Sequence, residues 1–211
     1  MRRPLFIARQ SREPKGWLGG IIARVMERET ATENIAAVAM LGLKPEDRVI
    51  DVGTGHGRAL NLLAAFAHCG PSVGVDHSAL MCKRARANNR SLIKAGRVRV
   101  EQADSGHMPF QAGMFDAAIS IHTLYFLDPA EPHLAEIARV LRSGGRFVIG
   151  FRPGEDPVAA AQFPPPVYHF RTTPEVAILL SRSGFDVLAE QRADHTGKST
   201  VLMLAQCRER R

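Results

Sequence analysis

The chain of 211 residues is long enough for one α/β domain with a sizeable core and too short for two domains of typical size. It is 45% hydrophobic and 23% charged, and no apolar run approaches the roughly 20 residues of a membrane-spanning helix, so a membrane-embedded protein is excluded. The formal charge of +7 is compatible with an anionic partner, but the basic residues gather at the two ends and in one helical segment, without interleaved aromatic residues. We therefore expect a solvated basic surface and no nucleic-acid partner.

Neither export nor metal binding is indicated by the sequence. The first ten residues hold only a short apolar stub, which is too little for a secretory signal, so we expect a cytoplasmic protein. Three cysteines, Cys69, Cys82 and Cys207, lie far apart and belong to no pair or cluster with metal-ligand spacing. We expect neither disulfides nor a zinc site.

The first 44 residues are predicted to be helical. Apolar residues recur at helical spacing over residues 17–28, which predicts one helix with a buried face. Thr30 and Glu33 form a possible capping box for a second helix that ends at Gly42, with Ala36, Met40 and Leu41 facing inward. We divide the single domain into this helical cover, residues 1–44, and an α/β core, residues 45–211.

The most informative stretch is the segment at 49–58, an apolar run followed by three alternate glycines and the start of a helical pattern. Glycine permits positive φ and lets a ligand approach the backbone, and the helix that follows offers free N–H groups. A dinucleotide-binding motif would need a third glycine where Arg58 stands. Asp51 would repel a pyrophosphate and attract a cationic amino-acid tail. The segment therefore favours S-adenosylmethionine over NAD.

This stretch resembles motif I of the class I S-adenosylmethionine-dependent methyltransferases. The resemblance implies that Gly53, Gly55 and Gly57 form the turn at the cofactor, that Thr54 contacts it, and that Asp51 lies beneath its methionine moiety.

The second predicted strand, residues 72–75, ends at another acid. Asp76 stands 25 residues after Asp51, about where nucleotide-binding α/β folds place the carboxylate that accepts both ribose hydroxyls. The family resemblance implies this role for Asp76, with His77 beside it. It also implies that Met81 packs near the adenosine, although filling of the core explains Met81 equally well.

The third predicted strand, residues 98–101, leads into a polar loop that resembles the family's adenine site. The resemblance implies that Asp104 accepts a hydrogen bond from the adenine amino group and that the backbone N–H of Ser105 meets a ring nitrogen. A simple cap of the loop is the alternative for Asp104.

The rest of the core alternates strands and helices and closes with two strands joined by a short connection. The predicted elements are a strand at 115–121, a helix at 129–141 that ends at Ser143-Gly144-Gly145, a strand at 146–151, a loop without helical or strand period at 153–172, a helix capped by Thr173 that ends at Gly184, and strands at 185–191 and 199–206. The segment at 139–145 resembles a signature of the same family. We expect the Rossmann-like methyltransferase fold, a seven-stranded mostly parallel sheet with an antiparallel last strand and helices on both faces.

The resemblance, which is closest to the small quinone-biosynthesis-like methyltransferases, implies methyl transfer by in-line displacement. From the large apolar residues of the segments outside the core we expect a small, apolar or aromatic acceptor. Positioning supplies most of the rate in such a reaction, so a catalytic base is optional. His122 and Tyr125, just after the fourth strand, are the candidates, and Ser120 is implied as a cofactor contact. The sequence from Ser120 to Thr123 replaces the tetrad of exocyclic-amine methyltransferases, which argues against a DNA base as acceptor.

Other interpretations stay open at this point. The chain could bind the cofactor without turnover, methylate a macromolecule or a lipid, or be an NAD(P)-dependent oxidoreductase, which Arg58 and Asp51 disfavour. The segments at 1–26 and 153–172 carry large apolar residues, so we expect them to cover the acceptor pocket. A homodimer is compatible with the sequence, and the acceptor and the methylated atom are not determined by it.

Overall fold

The computed structural model describes residues 3–12, 31–67, 70–195 and 198–209. The helix expected at 17–28 and the cap Thr30 lie outside these residues. Within them, no helix has the length and hydropathy needed to cross a membrane. The helices are α1 (Leu5–Arg12), α2 (Ala31–Leu41), α3 (Arg58–Phe66), α4 (Ala79–Asn88), α5 (Arg90–Lys94), α6 (Glu131–Val140), α7 (Pro157–Gln162) and α8 (Thr173–Arg182). The strands are β1 (Val49–Val52), β2 (Ser72–Asp76), β3 (Val98–Gln102), β4 (Phe115–Ile121), β5 (Leu141–Phe151), β6 (Phe185–His195) and β7 (Lys198–Cys207).

The described strands form one seven-stranded sheet in the order β3-β2-β1-β4-β5-β7-β6. Strands β1 to β5 pair in parallel, whereas β7 runs antiparallel to both of its neighbours, β5 and β6. The predicted fold class is confirmed. Asp51 in β1 stands opposite Gly74 in β2 and Ile119 in β4, so the carboxyl ends of these three strands meet at one edge.

Two hydrophobic clusters, one on each face of the sheet, hold the layers together. Alternate residues of a strand point to opposite faces, and accordingly Ile50 belongs to one cluster and Val49 to the other. The Ile50 side also contains buried residues of α6 and α8, while the Val49 side contains those of α2, α3 and α4. β1 and β2 are buried along their whole length, as expected for central parallel strands covered on both faces.

Three details of the expected core elements were wrong. Helix α6 ends at Val140 rather than at the Ser143-Gly144-Gly145 segment, because Leu141 already pairs with Phe115 in the sheet and is fully buried. The loop at 153–172 contains α7, a helix of six residues that is too short to show a period in the sequence. In α2 the inward apolar residues are Ala37, Val38 and Leu41, so Ala36 and Met40 lie at the edge of that face.

The cap of α8 is displaced by one residue from the expected position. Thr172, not Thr173, accepts a hydrogen bond from Glu175 N through its hydroxyl group (3.4 Å), and the Glu175 carboxylate accepts one from Thr172 N (2.7 Å). The sequence contains threonine at both positions, and the acid three residues later selects Thr172 as the cap. Thr173 is buried at the start of the helix.

Candidate active site

A cavity of about 310 Å³ lies at the carboxyl edge of β1, β2 and β4. Parallel α/β sheets bind ligands at this edge, and the volume falls in the range of small-molecule sites. The glycine loop after β1 forms its floor, the loops after β2, β3 and β4 form its sides, and residues of α1 and α2 complete it. Most of the residues that the sequence indicated as cofactor contacts line this cavity: Asp51, Gly53, Thr54, Gly55, Asp76, His77, Met81, Asp104 and Ser105.

The three glycines of the loop all have positive φ, but each is needed for a different reason. Gly53 (φ 77°) lies so close to Thr123 that a Cβ atom would be 2.2 Å from the Thr123 hydroxyl oxygen. Gly57 (φ 79°) precedes α3 and packs against α4, where its carbonyl accepts a hydrogen bond from Asn89 (2.9 Å). Gly55 (φ 55°) lines the cavity, and a Cβ there would meet no atom within 4 Å. The open space that a ligand could occupy is therefore at Gly55, whereas Gly57 lies behind the loop.

Alanine substitutions at Gly53 and Gly55 should separate strain from ligand binding. Both impose the left-handed conformation on alanine, at about 1–2 kcal/mol. Gly53→Ala adds the clash with Thr123, so we expect it to lower the free energy of unfolding by about 3 kcal/mol or more in urea denaturation. Gly55→Ala should cost only the strain but weaken S-adenosylhomocysteine binding more than about tenfold, since the methyl group enters the cavity. Equal losses of stability would contradict this assignment.

Asp76, at the end of β2, connects the glycine loop to the start of α4. One carboxylate oxygen accepts a hydrogen bond from Gly55 N (2.9 Å) and the other accepts one from Ser78 N (2.8 Å). The side chain is buried yet lines the cavity, and Nδ1 of the exposed His77 is 3.7 Å away. Burial raises the pKa of Asp76, while the two backbone hydrogen bonds act against that rise. The carboxylate thus both orders the loop and faces the ligand space.

Asp51, in β1, is an acid that is almost completely buried. It is 4% exposed, and the Thr54 hydroxyl group donates a hydrogen bond of 2.6 Å to its carboxylate. The pKa of Asp51 is raised to about 7: burial is the main cause, the negative charge of Asp76 adds to it, and the Thr54 hydrogen bond acts in the opposite direction. A cation placed in this part of the cavity would favour the ionised form.

The loop after β3 brings Asp104 and Ser105 to the cavity wall together with His133 of α6. The Ser105 hydroxyl oxygen is 2.8 Å from His133 Nδ1, and an Asp104 carboxylate oxygen is 3.6 Å from the same nitrogen. Asp104 also accepts a hydrogen bond from Gly106 N (2.7 Å), as a loop cap does, although its side chain is 69% exposed. Burial lowers the pKa of His133. Sequence reasoning missed His133, because no local motif marks a residue that arrives from a helix 28 positions later.

His122 lies on the opposite side of the cavity, directly after β4. Its φ of 59° is the one positive value among the described non-glycine residues, and its N–H donates to Gly150 O (2.8 Å). The imidazole is buried, lines the cavity, and has its Nε2 3.9 Å from a carboxylate oxygen of Glu33, itself buried in α2. The sequence placed Glu33 only in a capping box with Thr30, which lies outside the described residues, and the fold also brings Glu33 next to His122.

Two other candidates from the sequence do not line the cavity. Ser120 is buried inside β4, with its neighbours Ile121 and His122 at the cavity wall. Tyr125 is buried in an adjacent aromatic cluster, with its ring centroid 5.4 Å from those of Tyr168 and Phe170 and 6.2 Å from that of His122. Burial raises the pKa of Tyr125, so its hydroxyl group stays protonated at neutral pH.

Comparison with known proteins gives a consistent assignment. Residues 50–149 match the family model described as a methyltransferase domain. The chain is 32% identical over 123 residues to the O-methyltransferase resE of Aspergillus sclerotiorum and 36% identical over 115 residues to the ubiquinone/menaquinone biosynthesis C-methyltransferase UbiE of a Geobacter species. These matches cover 57% and 54% of this chain, but they span only about half of each relative, 46% and 48%.

A solved structure shows the same fold. The S-adenosylmethionine-dependent methyltransferase from Aquifex aeolicus superposes with a TM-score of 0.70 at 23% identity, over 82% of this chain and 89% of its own. Together with the family match and the sheet order, this result defines a class I S-adenosylmethionine-dependent methyltransferase domain. The part of the chain that the family model matches, residues 50–149, is a methyltransferase domain of this class, whose cofactor is S-adenosylmethionine. The cavity suits that cofactor, because it combines open space at Gly55 with the two acids Asp51 and Asp76.

Proposed function

We propose that the protein transfers a methyl group from S-adenosylmethionine to a small-molecule acceptor. One observation carries the proposal: a single cavity is lined both by the glycine loop with its two acids and by the buried imidazole of His122. The glycine loop and the two acids suit a cationic nucleoside, and the imidazole suits a nucleophile that must lose a proton. The C- and O-methyltransferase relatives support a small acceptor.

The cofactor-binding roles follow from the chemistry of each side chain. Asp51, beside Thr54, would hold the ammonium group of the methionine moiety, and Asp76 would accept hydrogen bonds from the ribose hydroxyls. Met81 would pack on the adenosine, with Asp104 and Ser105 at the adenine edge. When bound, the cofactor supplies an activated methyl group on a sulfonium.

The residues of the chain contribute mainly by positioning. The walls of the cavity would hold the acceptor in line with the methyl group and keep water out, and these effects supply most of the barrier reduction in such a displacement. His122 would accept the proton of an oxygen or nitrogen acceptor, and Glu33, 3.9 Å away, would orient the imidazole and stabilise its charged form.

Replacing His122 by asparagine tests this role. Asparagine tolerates the positive φ at this position but lacks a base. We expect kcat to fall about 100-fold, within the usual contribution of general-base catalysis, while the Kd for S-adenosylhomocysteine stays unchanged. The kinetics are measured with an identified acceptor. Undiminished turnover in the folded variant would show that positioning alone suffices.

We further propose that α1 and the segment at 153–172 cover the acceptor pocket. Ala8 of α1 is fully buried against Phe163, Val167 and Tyr168, while Ser11 and Arg12 line the cavity. A cover of this kind would exclude water during transfer. Deleting residues 1–12 should therefore leave cofactor affinity within about twofold and lower methyl transfer at least about tenfold. A truncated protein with full activity would refute the covering role.

The proposed activity can be tested without knowing the acceptor in advance. The purified protein is first analysed by mass spectrometry for co-purified S-adenosylmethionine or S-adenosylhomocysteine. A panel of phenols, quinols, amines and carboxylic acids is then incubated with the methyl-labelled cofactor. Transfer of label to one class of acceptor by the wild type, and no transfer by Asp76→Ala, supports the proposal. Cofactor binding without transfer of label to any compound of the panel would favour a binding domain.

A further inference from the structure

Arg152 is a buried cation that forms no salt bridge with the described residues. It directly follows β5 at the edge of the sheet where the cavity lies, two residues after the Gly150 carbonyl that accepts the His122 N–H. Arg152 is only 8% exposed, no carboxylate in the described segments pairs with it, and its Nε is buried without a hydrogen-bond partner. A charge removed from water in this way is costly unless an opposite charge meets it.

A second guanidinium group shares the environment of Arg152. The guanidinium carbon of Arg152 lies 5.2 Å from the centroid of the Phe163 ring, and that of Arg3 lies 4.6 Å from the same centroid. Interaction with the ring stabilises each cation only modestly, by less than a buried charge loses on leaving water. Both guanidinium charges also act on the hydroxyl groups of Tyr125 and Tyr168, so one anion in this region would stabilise both cations.

The hydroxyl groups of Tyr125 and Tyr168 are hydrogen-bond donors close to the two guanidinium groups. Burial raises the pKa of Tyr125 and of Tyr168, the nearby charges of Arg152 and Arg3 act in the opposite direction, and the negative charge of Glu33 raises the pKa of Tyr125 further. Both hydroxyls therefore remain protonated at neutral pH and can donate to an oxyanion. The Tyr168 hydroxyl also interacts with Ser11 and Arg3.

The aromatic cluster of Tyr125, Phe126, Phe163, Tyr168 and Phe170 borders the cavity. Ser11, which interacts with Tyr168, lines the cavity, as does Phe126, whose ring centroid is 5.0 Å from that of Tyr168. On the other side the ring of Tyr125 lies 6.2 Å from that of His122. Arg152, Arg3 and the two tyrosines do not themselves line the cavity, so the cluster adjoins it through Ser11, Phe126 and His122.

We propose that Arg152, assisted by Arg3 and the hydroxyls of Tyr125 and Tyr168, forms a subsite for the oxyanion of the acceptor, a carboxylate or a phosphate on an apolar body. The planar fork of an arginine suits either group, since both accept two parallel hydrogen bonds. The proposal rests on the proposed function and narrows the acceptor class to anionic molecules.

The test uses Arg152→Met, which replaces the charged guanidinium side chain by an uncharged, apolar one of similar length. The binding of S-adenosylhomocysteine is measured first by calorimetry. If the wild type and the variant bind it with the same Kd, the substitution has left the cofactor site intact. Benzoate, phenyl phosphate and neutral benzyl alcohol are then titrated into the S-adenosylhomocysteine complex. We expect the wild-type protein to bind at least one of the two anions and not the alcohol, and Arg152→Met to bind that anion at least about tenfold more weakly. Preference for benzoate assigns a carboxylate, and preference for phenyl phosphate assigns a phosphate.

Two further variants keep the test independent of folding. Arg97→Met is the matched control. Arg97 donates hydrogen bonds to the carbonyls of Ala64 and Ala67, so we expect this variant to be less stable than the wild type but to bind the anion equally well. Arg3→Gln changes a partly exposed residue near the N-terminus and should weaken anion binding several-fold in a stable protein. The subsite is refuted if the wild-type complex binds neither anion, or if Arg152→Met and Arg3→Gln both bind it as the wild type does. Normal S-adenosylhomocysteine binding in that case would leave the proposed function standing.

Discussion

Asp76→Ala is expected to weaken S-adenosylhomocysteine binding more than about 100-fold. The carboxylate accepts hydrogen bonds from Gly55 N and Ser78 N, so its loss removes the acceptor for the ribose and also the link that orders the glycine loop. Hydrogen bonds to a charged group contribute about 1.5–3 kcal/mol each, and two of them acting together account for this factor. Isothermal titration calorimetry of the wild type and the variant gives the ratio of the two dissociation constants.

The same substitution should be visible in the absence of ligand. Two backbone N–H groups lose their partner, so we expect the free energy of unfolding to fall by about 1–3 kcal/mol in urea denaturation. Asp104→Ala is the appropriate control, because that side chain is mostly exposed and should leave stability nearly unchanged. A folded Asp76→Ala protein with the wild-type dissociation constant would show that Asp76 is not the ribose ligand.

The second large effect concerns the pH dependence introduced by Asp51. Its pKa is raised by burial from 3.8 to about 7, so between these values the folded protein retains a proton that the unfolded chain releases. The free energy of unfolding therefore falls as pH rises through this window, by up to about 4 kcal/mol for a shift of this size. Asp51→Asn removes the contribution. We expect the variant to match the wild type near pH 4 and to be more stable by about 2–4 kcal/mol at pH 8 in urea denaturation.

Ligand binding should show the opposite trend at the same residue. An ammonium group beside Asp51 favours the ionised carboxylate, so S-adenosylhomocysteine should bind more tightly as pH rises from about 5.5 to 8, with release of a proton. Methylthioadenosine lacks the amino-acid tail but keeps the ribose that faces Asp76, so it should show a smaller rise. A stability difference between Asp51→Asn and wild type that stays constant with pH, or an equal pH response to both ligands, would rule out this role for Asp51.

The features that sequence could predict are those with a local chemical signature. The glycine loop, the acids at the ends of β1 and β2, and the polar loop after β3 each combine a hydrophobic run with a turn and a polar residue. The structure brings these elements to one edge of the sheet and one cavity, as expected for consecutive parallel strands. Even the antiparallel β7 could be inferred, because a short connection precedes it.

The features that sequence could not predict depend on contacts between distant parts of the chain. Glu33 and His122 meet only because α2 packs across the sheet, and His133 reaches Ser105 only through the docking of α6. The burial of Arg152 is set by the aromatic cluster that the loop at 153–172 forms with Tyr125. No local motif marks these pairings, so only the fold reveals the partners. Gly57 shows a related limit, since it lies in the motif but its close contact is with Asn89 rather than with the cavity.

The most direct test of the whole account is a calorimetric titration of the purified wild-type protein, freed of bound nucleotides, with S-adenosylhomocysteine and, separately, with NADH. The arrangement of Asp51, Gly55 and Asp76 in one cavity predicts saturable binding of S-adenosylhomocysteine at one site per chain and no measurable heat with NADH. Saturable binding of NADH with no response to S-adenosylhomocysteine would contradict the assignment of this cavity.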